Sequence, residues 1–157
     1  VAGVREQAVD ALGWVGEKAL PELTPLMGDS DEDVAQAAMS AWQLALAEVN
    51  DPAERALTAQ LALKTISDPD ALEMIGGEFA NAATEMIDGA KSEKQAAESR
   101  TAVIQSIVDM MGDESSATRA SAAKEIYETV TGNAWVSIAE AERYLADPDN
   151  YEPPEED

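Results

Sequence analysis

The stretch Val4–Val34, VREQAVDALGWVGEKALPELTPLMGDSDEDV, carries two apolar helical stripes that meet at Gly16 and end in an acid-rich turn. Val4, Ala8, Ala11 and Leu12 stand at offsets 0, +4, +7 and +8, on one face of an α-helix. Glycine suits the junction because a left-handed helix end has no room for a Cβ. The carboxylates from Asp29 to Asp33 suit the start of the next helix, where free backbone N–H groups and the positive end of the dipole need acceptors. The unit so defined is a helical hairpin. The fold is decided by whether it recurs.

Its punctuation does recur. Gly16, Gly28, Gly89, Gly112 and Gly132 each follow an apolar helical run and are expected as left-handed C-terminal caps. Acid-rich starts follow at Asp31–Asp33, Asp51 before Pro52, Asp68 before Pro69, and Asp113–Ser116. These marks predict eight helices, at about 4–15, 18–27, 32–49, 52–66, 69–88, 92–111, 116–131 and 134–146, with no period-two strand. Taking the first helix of each pair from positions 4, 34, 72 and 118 gives spacings of 30, 38 and 46 residues, in or near the range of helical-pair repeats.

The first unit resembles a HEAT repeat of the short bacterial kind, also found in phycobiliprotein lyases. The resemblance rests on Val4-Arg5, Ala8, Ala11-Leu12-Gly13, Gly16, Ala19-Leu20-Pro21, Leu23, Leu26, Asp29, Asp31 and Val34. Thr118-Arg119, Ala122, Ile126 and Gly132 repeat parts of it in the fourth unit, and the middle two units follow by register. The resemblance implies an all-α fold, a right-handed α-α superhelix or solenoid of about four hairpins. It departs from the pattern where the arginine position becomes Ala35 and then Glu73, which interrupts any Asp–Arg ladder. Gly76-Gly77 inside the fifth helix marks either a close approach or a bend.

Residues 1–146 are read as a single HEAT-like domain, and 147–157 as an acidic, proline-rich disordered tail or linker. The first helix, starting at Val4 with apolar Val9 and Val15, lacks the polar outer face of a terminal repeat, which points to further repeats upstream.

Composition narrows the function. Ten basic residues against 32 acidic ones give a net charge of −22, a field that repels phosphate backbones and anionic headgroups. Nucleic acid and membrane insertion are not expected, and a monomer is. Without cysteine or histidine the chain offers no thiol nucleophile, no thiolate site and no imidazole base. Ser121–Lys124 has the S-x-x-K spacing, but the K-T-G segment and the strands that go with it are missing. Asp29, Asp31 and Asp33 alternate as in a calcium loop, yet Val34 replaces the required glycine and Ser40 the bidentate glutamate. Neither catalytic residues, nor metal, nor cofactor are therefore expected.

The reading that remains is a non-enzymatic protein–protein interaction scaffold that uses the concave face formed by the second helices. Its partner would be a protein or peptide segment, basic or amphipathic. The candidate contact residues are Trp14, Glu22, Glu54, Thr58, Glu98, Gln105, Asp109 and Glu140, with Lys18, Thr65 and Arg143 on the same polar arcs. Trp42, in the place of a core leucine, is expected to be buried. The alternatives are a structural spacer in a larger envelope or secreted protein, and a lyase-type accessory or enzyme. The acidity favours an extracytoplasmic setting over the cytoplasm.

Overall fold

A computed structural model describes residues 2–112 and 116–154. Among these the chain forms eight α-helices and no strand: α1 Ala2–Gly13, α2 Leu20–Leu23, α3 Glu32–Ala47, α4 Pro52–Thr65, α5 Pro69–Asp88, α6 Glu93–Met111, α7 Ala117–Thr131 and α8 Ile138–Ala146. The expected helix starts are realised by short polar caps. Asp31, Asp51, Asp68, Ser92, Ser116 and Ser137 each accept a hydrogen bond from a backbone N–H two or three residues on. Pro52 and Pro69 occupy the first helical positions, where no N–H is needed. Of the acid-rich start expected at 113–116, residues 113–115 lie outside the described residues.

Two expectations need correction. Segment 18–27 is not one helix: 3-10 turns at Gly16–Ala19 and Thr24–Gly28 flank the single α-turn of α2. Pro21 and Pro25, four residues apart, remove successive i→i−4 donors, and the backbone tightens into 3-10 geometry instead. The five glycines do not behave alike either. Only Gly16 (φ 70°) and Gly132 (φ 71°) are left-handed, whereas Gly89 and Gly112 close their helices at φ −80° and −75°. At Gly16 it is the left-handed φ that calls for glycine; a Cβ there would also lie 2.1 Å from Glu48 Oε2, the end of an exposed side chain that can swing aside. The eighth helix also begins four residues later than expected, with Ser137 capping it after an irregular stretch that carries Trp135.

One continuous apolar cluster extends from Val9 to Tyr144. α1 packs on α3, α5 touches α3 and packs closely on α7, and the even helices flank them: α2 on α3, α4 on α5, α6 on both α5 and α7, and α8 on α6. The glycine pair makes no bend. α5 runs through it without interruption, and Gly76 faces Ala122 and Ile126 of α7, with room for a methyl group but not for a larger side chain. Gly77 faces open space. Trp42 is fully buried as expected, and its indole N–H donates to Thr24 Oγ1 at 3.1 Å, tying the broken second helix to α3.

Beyond α8 the chain folds back. Tyr151 stacks edge-on against Tyr144 (5.5 Å between centroids), donates its hydroxyl to Glu140, and lies under the Arg143 guanidinium at 5.1 Å. The expected tail from 147 onward is thus anchored as far as Tyr151; residues 155–157 lie outside the described residues.

Candidate functional site

The broken second helix shapes the main concavity. Because the Gly16–Gly28 segment has α3 as its principal partner, a space of about 650 Å³ stays open between it and α4. Buried Leu20, Val49, Ala62 and Ile66 form its floor. Pro21, Pro25 and Leu61 form the walls, and Leu61 is 56 % exposed. Glu17, Lys18, Thr24, Glu54, Thr58 and Thr65 complete the lining. On α4 the lining positions 54, 58, 61 and 65 follow the i, i+4, i+7, i+11 line of one helical face. A concave, mostly apolar site with a few polar groups at its edge is the usual form of a binding cleft.

The eight candidate contact residues divide. Glu54 and Thr58 line the cleft, as do Lys18 and Thr65 from the same arcs. Glu22 is exposed but is not part of the lining. Trp14 is 91 % exposed on the turn after α1. Glu98, Gln105 and Asp109 lie exposed on α6, outside the cleft lining: Glu98 pairs with Lys94 at 3.7 Å, and the Gln105 amide donates to Asp109 at 3.0 Å. Glu140 is engaged by Arg143 at 3.1 Å and by the Tyr151 hydroxyl at 3.1 Å, which makes it a holder of the C-terminal segment.

Sequence reasoning missed Leu61 and the aliphatic floor. A signal for them existed: Leu57 and Leu61, four apart, fall off the stripe formed by Ala56, Ala59 and Leu63, and both stay more than half exposed. It also missed the aromatic ladder Trp135–Tyr127–Tyr144–Tyr151, in which four of the chain's seven aromatics meet edge to face. Burial, reinforced by Tyr151 nearby, raises the Tyr127 pKa to about 12, and Tyr151 is also raised, first by desolvation and then by its bond to Glu140.

Two carboxylates of the acid-rich turn, Asp29 and Asp31, have structural partners. Asp29 pairs with Arg5 (3.1 Å) and accepts the Asp31 N–H, while Asp31 caps α3. No group of three or more carboxylates among the described residues is placed to hold a metal ion. Ser121 and Lys124 are exposed on the outer side of α7. No helix among the described residues is long and apolar enough to cross a membrane.

Comparison with known protein families, with curated proteins and with solved structures finds no match for this chain. Among the described residues the protein is all-helical, with a mainly apolar cleft between the Gly16–Gly28 segment and α4 that carries Glu17, Lys18 and Glu54 at its edge.

Proposed function

We propose that the chain is a non-enzymatic interaction module, a HEAT-like right-handed stack of hairpins, whose cleft between the Gly16–Gly28 segment and α4 receives a short amphipathic segment of a partner protein bearing basic residues. The observation that carries this reading is the cleft itself. Its aliphatic floor and exposed Leu61 offer burial, and Glu17 and Glu54 stand at its edge in a protein of net charge −22. Apolar contact would supply most of the affinity, and the acidic field would mainly speed encounter. The order of packing, α1 on α3 and α5 on α7, supports the stacked arrangement.

The test is selection of 12-residue peptides displayed on phage against the purified protein. Lysine or arginine flanking two or three apolar residues is expected among the binders. Leu61→Asp is expected to weaken the selected peptides by about 10- to 100-fold through loss of apolar burial. Glu54→Lys should slow association and flatten its salt dependence. Selection of no peptide, or of peptides indifferent to Leu61→Asp, would overturn the reading. It would leave the spacer alternative, for which substitutions in the cleft are silent.

A further inference from the structure

The walls of the α4 cleft carry few groups still able to bond to a peptide backbone. On the Gly16–Gly28 side Pro21 and Pro25 have no N–H, while the Leu20 and Thr24 N–H groups bond to Glu17 O and Leu20 O. On the opposite side Ala62 O accepts both the Ile66 N–H (3.1 Å) and the Thr65 hydroxyl (3.1 Å), and Ile66 O accepts from Arg119. Thr24 Oγ1 is engaged twice, donating to Leu20 O at 2.8 Å and accepting from Trp42. Among the described residues there is no strand, and the cleft lining contains no aromatic side chain.

We propose that the partner segment received by this cleft is an amphipathic α-helix of about three turns, apolar at positions i, i+3, i+4 and i+7 and flanked by lysine or arginine. This rests on the reading of the cleft as a peptide site. The conformation follows from the backbone. An extended strand laid here would bury N–H and C=O groups that no sheet edge is present to pair, at a cost for each. A proline-rich segment docks in an aromatic-lined groove, and this cleft has no aromatic residue. A helix satisfies its own hydrogen bonds and asks the walls only for apolar contact, which Leu20, Leu61, Ala62 and Ile66 offer. α4 lines the cleft from Glu54 to Thr65, a rise of about 16 Å, which sets the matching length on the partner. At the edge Glu17 and Glu54 outnumber Lys18, and none of the three is in an ion pair among the described residues, so two carboxylates are free to meet the basic flanks.

An isolated helix of three turns is marginal in water, so the segment orders as it docks, and its own helix propensity enters the affinity. Residues that face away from the cleft therefore matter. Threonine in place of an outward alanine costs a helical segment about three-fold in affinity per position. β-branched residues favour the extended form, so the same change leaves an extended segment unweakened.

NMR titration of the whole chain, labelled with nitrogen-15, against two 12-residue peptides of identical composition separates the two conformations. The first peptide has leucine at positions 3, 6, 7 and 10, lysine at 2, 4, 9 and 11, and alanine elsewhere, which places the leucines on one helical face. The second has leucine at 3, 5, 7 and 9 and lysine at 2, 4, 8 and 10, the alternation of an extended segment at the same charge. The first is expected to shift the amide signals of Thr58, Leu61 and Ala62 and to bind about ten-fold more tightly than the second. Leu61→Asp should weaken it by about ten-fold or more, and threonine at its outward positions 5 and 8 by roughly nine-fold. Equal or tighter binding of the alternating peptide, or indifference of the first to the threonines, overturns the helical occupant and leaves the cleft a peptide site. Binding that Leu61→Asp does not weaken lies elsewhere on the acidic surface and overturns it equally. If neither peptide shifts these signals the helical occupant is overturned, and the phage selection then decides the peptide reading by itself. Signals moved instead by dodecyltrimethylammonium below its micelle concentration would assign the cleft to an apolar small molecule, against both.

Discussion

Arg5 and Arg119 hold the same register position in the first and fourth hairpins, yet they do different work. Arg5 is 42 % exposed and meets a carboxylate, Asp29, across the turn that follows its own hairpin. Arg119 is buried; its Nε donates to the Leu63 carbonyl at 2.8 Å and an Nη to Ile66 O at 3.0 Å. These carbonyls belong to the end of α4, where intrahelical donors run out and the dipole is negative. Arg119→Met is expected to cost about 2 to 3 kcal/mol, since buried acceptors lose a charged donor. Arg5→Ala should cost at most about 1 kcal/mol, as solvent screens an exposed pair. Urea denaturation followed by tryptophan fluorescence measures both, and equal costs would contradict the different burial of the two sites. The sequence showed both arginines and the interruption between them; it did not show that Arg5 pairs with Asp29 or that Arg119 bonds the carbonyl end of α4.

At the scale of the element, the helix boundaries were legible wherever a short polar cap coincided with a proline or a glycine. The clearest failure was segment 18–27, whose apolar spacing reads as helix while Pro21 and Pro25 forbid a regular one. The glycine pair of α5 was equally open from sequence. A methyl group at Gly76 would lie 3.5 Å from Ile126 Cδ1, an ordinary contact, but a larger side chain would have to displace α7. Gly76→Leu is thus expected to destabilise the protein by about 1 to 3 kcal/mol through overpacking. Gly77→Ala fills open space and is expected to stabilise α5 by up to about 1 kcal/mol through helix propensity. Opposite shifts of the urea midpoint at adjacent positions are the measurable outcome.

Over the whole molecule, the aromatic ladder joins α7, α8 and the returning chain, and through Tyr127 it makes stability depend on pH. The Tyr127 hydroxyl titrates at about 12 in the folded protein against 10.0 unfolded, because burial disfavours the phenolate. The unfolded state therefore releases its proton first. The stability contributed is fully present below pH 10 and is lost as pH rises from 10 to 12. The urea midpoint is expected to fall between pH 9 and pH 11.5, and Tyr127→Phe should flatten that slope over the same interval. Identical slopes for the two proteins would show that Tyr127 ionises as freely folded as unfolded. The same scale sets the cleft apart: carboxylates are spread over most of the molecule, whereas the cleft at α4 is mainly apolar, with Glu17, Lys18 and Glu54 at its edge.

By itself the sequence determined the all-helical class, the number of helices, most of their ends, and the burial of Trp42. These follow from local rules, namely apolar periodicity, capping side chains and the backbone limits of glycine and proline, that act within a few residues. Only the tertiary structure decided that Glu54 and Thr58 share a cleft with Leu61, that Glu140 is taken up by Arg143 and Tyr151, and that Val4, Ala8 and Ala11 lie bare where Val34, Ala38 and Ala41 lie covered. The members of each pair of stripes have the same local pattern. What distinguishes them is which helix packs over them, and that depends on contacts between residues far apart in the chain.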